Sequence, residues 1–117
     1  MFEKITLPDG SFVVAFDTDK VIAVCVDPYL KTAFLYLEGL EKPLIFLDPA
    51  SIGIVQKLKQ LSNFYLIEGR ELGTVVINLE KVLACAENKI YLPMQVCIPC
   101  TNKEILNDLL NRLASLN

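Results

Sequence analysis

The sequence predicts an α+β protein built from two tandem similar units. Each unit is a small antiparallel β-sheet followed by one C-terminal helix, and the two pack as one pseudo-symmetric domain over residues 1–117. Three observations carry this reading. Residues 14–26 (VAFDTDKVIAVCV) match residues 75–87 (VVINLEKVLACAE) without a gap. Short β-branched and aromatic runs, punctuated by turn residues, fill most of each half. Each half then closes on an amphipathic stripe at helical spacing.

The self-match pairs Val14 with Val75, Phe16 with Ile77 and Asp17 with Asn78. It continues with Asp19 on Glu80, Lys20 on Lys81, Val21 on Val82, Ile22 on Leu83 and Ala23 on Ala84. Further on, Leu35-Tyr36-Leu37 falls on Ile90-Tyr91-Leu92, and Leu44-Ile45-Phe46 on Val96-Cys97-Ile98. The repeats are 1–61 and 62–117, and internal repetition of this kind constrains the fold before any single element does.

The elements follow in order. Ile5-Thr6-Leu7 is a strand ended by Pro8-Asp9-Gly10, a turn signal. Phe12 to Phe16 is the next strand, and Asp17-Thr18-Asp19 is a hairpin turn because Asp and Asn tolerate unusual backbone angles. Val21 to Val26 is a near-continuous apolar strand closed by Asp27-Pro28, with Ala33 to Leu37 and Leu44 to Leu47 after it. The connections are too short for parallel crossovers, so neighbouring strands are expected to be antiparallel hairpins. Asp48 is expected to cap the first helix with Pro49 at its first position, ahead of the Ile54, Val55, Leu58, Leu61 stripe. Thr101 and Glu104 form a capping-box pattern before the second helix. Its apolar face is wide: Ile105, Leu106, Leu109, Leu110, Leu113 and Leu116.

Composition excludes several classes of function. Hydrophobic residues make up 53% of the 117-residue chain and charged residues 21%, with a net charge of −3. A chain this apolar is not disordered. The longest stretch without a charge, Ile90 to Asn102, is interrupted by Pro93, Gln95 and Pro99, so no membrane span is expected. The N-terminus carries Glu3, Lys4 and Asp9 and no apolar run of a secretory signal, which predicts a cytoplasmic protein with reduced cysteines. An acidic balance without clustered Lys and Arg argues against nucleic acid.

The repeated unit runs ITLPDGSFVVAFDTDKVIAV, FLYLEG, PLIFLDP and a helix in the first half. In the second it runs LIEGRELGTVVINLEKVLACAE, NKIYLP, VCIP and a helix. This unit resembles the small flagellar-operon proteins of the FlbD family, which carry a single copy where this chain carries two. The resemblance spans nearly the whole chain and rests on aliphatic positions. It implies a non-enzymatic bacterial accessory protein and supplies no catalytic residues.

Histidine is absent, which removes the commonest general base and metal ligand. Cys97-Ile-Pro-Cys100 precedes a helix, where amides and the helix dipole favour a thiolate, so this pair is the candidate for redox chemistry. The bland alternative is two structural cysteines, since free cysteine behaves as a small hydrophobe. No metal site is expected: a zinc centre needs four ligands, and the repeat places Cys25 and Cys85 on opposite strand faces. Asp17 and Asp19 are read as turn residues rather than cation ligands. Tyr29 and Leu30 sit in a loop that the second half lacks. They are either a contact anchor or a loop folded back over the sheet.

The expected function is a non-catalytic interaction or scaffold protein without cofactors, forming a homo-oligomer, most simply a dimer, with another protein as a further candidate partner. The alternatives are a thiol–disulfide protein using Cys97 and Cys100, or a binder of apolar small ligands in a pocket between the units.

Overall fold

A computed structural model describes residues 1–69 and 73–116. The fold is α+β, and the described residues form ten strands in three antiparallel sheets and two helices. Strands β1 (Phe2–Thr6) and β2 (Phe12–Asp17) form a hairpin. Next come β3 (Val21–Val26), β4 (Ala33–Leu37), β5 (Leu44–Phe46) and helix α1 (Ala50–Lys59). The second half supplies the hairpin β6 (Phe64–Gly69) and β7 (Gly73–Asn78), then β8 (Ala84–Ala86), β9 (Lys89–Tyr91), β10 (Cys97–Pro99) and helix α2 (Lys103–Ala114).

The central sheet has the order β5-β4-β3-β7-β6, so it joins strands from both halves. The joint is the antiparallel ladder between β3 and β7, with Ala23 opposite Ile77, Val24 opposite Val76 and Cys25 opposite Val75. All of these except the half-buried Cys25 lie at 0–2% exposure. Such a strand, buried on both faces, needs a continuous apolar run, and VIAVCV supplies it.

The two faces of the sheet serve two cores. Val24, Val26 and Val76 face a core under α1 with Ile5, Phe16, Leu35, Ile54 and Leu58. Ala23, Val75 and Ile77 face a core under α2 with Ile67, Ile90, Ile98 and Leu109. A register shift between Val21 and Ala23 puts the consecutive Ile22 and Ala23 into the same core, as a bulge does.

Asp17-Thr18-Asp19 does not make the expected hairpin turn. Thr18–Lys20 is one 3-10 turn, and Asp17 keeps ordinary extended angles while its carboxylate accepts the Asp19 N–H at 3.0 Å. Leu79–Lys81 repeats this geometry, with the Asn78 side chain accepting the Glu80 N–H at 3.0 Å. Each turn is a corner that carries the chain out of one sheet. Hence β2 does not pair with β3, nor β7 with β8. The buried Asn78 also donates from Nδ2 to the Val21 carbonyl at 2.8 Å, tying the second corner to the first half.

Both helix starts differ from expectation. Pro49, not Asp48, is the capping residue of α1, and no side chain caps its first turn. Asn102, not Thr101, caps α2: its Oδ1 accepts the N–H groups of Glu104 and Ile105 at 2.9 and 3.2 Å. An Asn carbonyl one residue further on reaches both amides, which leaves the Thr101 hydroxyl without that role. The α2 helix is fastened to β6, because the Tyr65 hydroxyl donates to Asp108 at 2.7 Å. Burial and the Asp108 carboxylate push that hydroxyl up to about 12, so it remains a donor.

Gly73 has φ +72, and a Cβ there would collide with the Val26 carbonyl oxygen and press on Pro28. Only glycine lets β7 start this close to the end of β3. Gly73→Ala is therefore expected to cost about 2–4 kcal/mol, from left-handed strain plus overpacking. Gly39→Ala, at φ +94 with open space around it, pays strain alone, about 1–2 kcal/mol. Urea denaturation of the two variants beside the parent checks the difference.

Candidate interaction surfaces

Tyr29 and Leu30 stand at the tip of a loop built by Asp27. Its Oδ1 accepts the N–H groups of both residues at 2.8 Å, and its backbone N–H donates to the Thr32 carbonyl at 2.9 Å. The two backbone amides hold the carboxyl below its usual range. The loop does not fold back over the sheet: Tyr29 is 84% exposed and Leu30 76%. It is a braced turn presenting two large apolar side chains.

The C-x-x-C residues go separate ways. Strand alternation in β10 turns Cys97 and Pro99 outward and Ile98 inward, and Cys100 continues inward at 5% exposure. Cys97 is exposed, and both thiols are free. Cys100 is part of the core under α2, with its Sγ 3.8 Å from the Asn102 carbonyl. Cys25 and Cys85 do not face opposite ways as the repeat suggested, since both pack on this same core. The reason lies in the topology: β3 belongs to the central sheet and β8 to a separate one, so an offset along the chain no longer defines a face. Burial pushes the Cys25 thiol up to about 11 and raises that of Cys85. Among the described residues, no three of Cys, Asp and Glu gather in a way that would hold a metal ion.

A further apolar surface lies elsewhere. Leu83 is 69% exposed, Leu110 44% and Leu116 45%. They border a groove of about 540 Å³ floored by Leu79, Val82, Cys85 and Leu113. Sequence reasoning missed this groove. Its signal was the width of the α2 stripe: six large aliphatic side chains span more than one helix face can bury. Only Leu109 is fully covered. A second cleft, of about 460 Å³, is lined by Val26, Ile52 and Val55 of the first half and by Gly69, Gly73 and Thr74 of the second. Its wall also carries Asp27, Lys31, Asp48, Lys59 and Glu68, a poor lining for an apolar ligand.

Phe2 and Phe12 are exposed on the first hairpin. Neither β2 nor β8 pairs on its outer side among the described residues. No described helix is long and apolar enough to cross a membrane. No protein-family model matches the chain, and no curated protein is similar to it in sequence.

The thiols should differ sharply in reactivity. With iodoacetamide at pH 8, Cys97 is expected to be alkylated first and Cys25 last, by at least about tenfold. Peptide mapping over a time course measures the order.

Proposed function

We propose that this protein is a non-catalytic interaction module that works as a homo-oligomer, and that its halves are copies of one unit. The observation that carries the reading is the groove around Leu83, Leu110 and Leu116. Three large aliphatic side chains beside an unpaired strand form a surface that a monomer gains nothing by exposing. Apart from Glu80 and Cys85 the side chains that line the groove are aliphatic, and the chain brings no histidine to it. Support for the repeat comes from register. Phe2 sits opposite Asp17 as Phe64 sits opposite Asn78, and Ile5 opposite Val14 as Ile67 opposite Val75. In the same way Val24 faces Leu35 as Cys85 faces Ile90.

A bacterial accessory protein resembling two fused FlbD units, in a reducing cytoplasm, fits four free thiols. Tyr29 and Leu30, on their braced loop, form a second surface suited to another protein.

Light scattering on a sizing column at low micromolar concentration tests the self-association. The expected species is at least twice the chain mass of 13.1 kDa. A single 13.1 kDa species across that range contradicts it.

A further inference from the structure

The joint between the halves uses only half of the edges that the repeat provides. Within the chain, β3 of the first half pairs with β7 of the second. Their counterparts at a spacing of 61 residues are β8 and β2, and the outer side of each is unpaired among the described residues. Burial records the same asymmetry. Ile22 beside the β3–β7 joint is 0% exposed, and its counterpart Leu83 is 69% exposed. Val76 in the joint is 0% exposed, while its counterpart Ala15 is exposed.

A joint between unlike edges is head-to-tail, and such a joint leaves one free edge of each kind. We propose that the outer edge of β8 in one copy of this chain pairs with the outer edge of β2 in a second copy, in the register that β3 and β7 use inside each chain. This rests on the reading of the halves as copies of one unit, and it names the partner and the contact for the proposed self-association. Transferring the observed register places Ala84 opposite Phe16, Cys85 opposite Ala15 and Ala86 opposite Val14 of the neighbour. Leu83 then enters the neighbour's core beside Phe16, as Ile22 enters the second core. The smallest closed form is a two-fold dimer in which each edge is used once.

Two departures from the internal joint make the external one weaker. Phe12 stands where Gly73 stands, so the close approach at the end of the ladder is not repeated; correspondingly, β8 stops at Ala86. Asp17 stands where Asn78 stands, and a carboxylate has no N–H to give to the carbonyl that matches Val21. The joint between chains is therefore separable where the joint within the chain is permanent.

Directly opposed antiparallel residues have Cα atoms about 4.5–5.5 Å apart, a separation that a disulfide spans. The test is Ala15→Cys in a Cys97→Ser background, oxidised at low micromolar concentration and mapped by mass spectrometry. Ala15 is exposed, so the substitution is tolerated. The expected product is a disulfide between Cys85 and the new thiol of another chain, in most molecules. Val14→Cys, one register position away, should give little of it. Leu83→Asp should shift the assembly to the single-chain mass. An oligomer on the sizing column without this disulfide overturns the edge pairing and leaves self-association standing. The same disulfide within one 13.1 kDa chain overturns it too, because the edges then close on each other. A monomer at every concentration defeats both readings.

Discussion

The rest of the structure depends on the ladder between β3 and β7. It is the only described strand pairing that crosses from one half to the other. Its residues supply both cores: Val24 and Val76 on the α1 side, Ala23, Val75 and Ile77 on the α2 side. Phe64 and Val76 from the second half complete the first core, and Ile22 and Ala23 from the first half complete the second. Neither helix therefore has a complete apolar surface to pack on without the other half. Asn78 fastens the joint at one end, and the missing side chain of Gly73 permits it at the other.

This arrangement accounts for the placement of much of the 53% of residues that are hydrophobic. The central sheet buries both of its faces, a demand usually met by larger α/β proteins. The excess that remains is local. It includes Leu83, Leu110 and Leu116, the hairpin residues Phe2 and Phe12, the Tyr29–Leu30 loop, and Ile45, Leu47 and Ile52 around the start of α1. Single exposed apolar residues mean little, and it is the cluster beside an unpaired edge on which the proposed self-association rests.

Much of the fold was legible in the sequence. The runs Val21 to Val26 and Ala33 to Leu37 are strands at those residues, and all described pairings are antiparallel. What was not legible was who pairs with whom. Asp17 and Asn78 look like hairpin residues because Asx side chains serve many turns, and only three-dimensional packing makes these two into corners. The capping error at Thr101 was a one-residue choice between two competent side chains, within the usual uncertainty of helix ends. The exposure of Leu83 could not be read at all, since its match to Ile22 implied equal burial. That asymmetry arises from topology: one internal joint satisfies β3 and β7 and leaves β2 and β8 open. Tyr29 and Leu30 were singled out as an insertion, and the Asp27 turn explains why they stay outside.

Native-state hydrogen exchange tests the central claim most directly. If the β3–β7 ladder holds the molecule together, amides of Val24, Val26, Thr74 and Val76 exchange only through global unfolding, with the highest free energy in the chain. Amides of β1, β9 and β10 then open at or below that level. Exchange of β3 and β7 through a cheaper local opening, with either outer sheet remaining protected, would contradict the account.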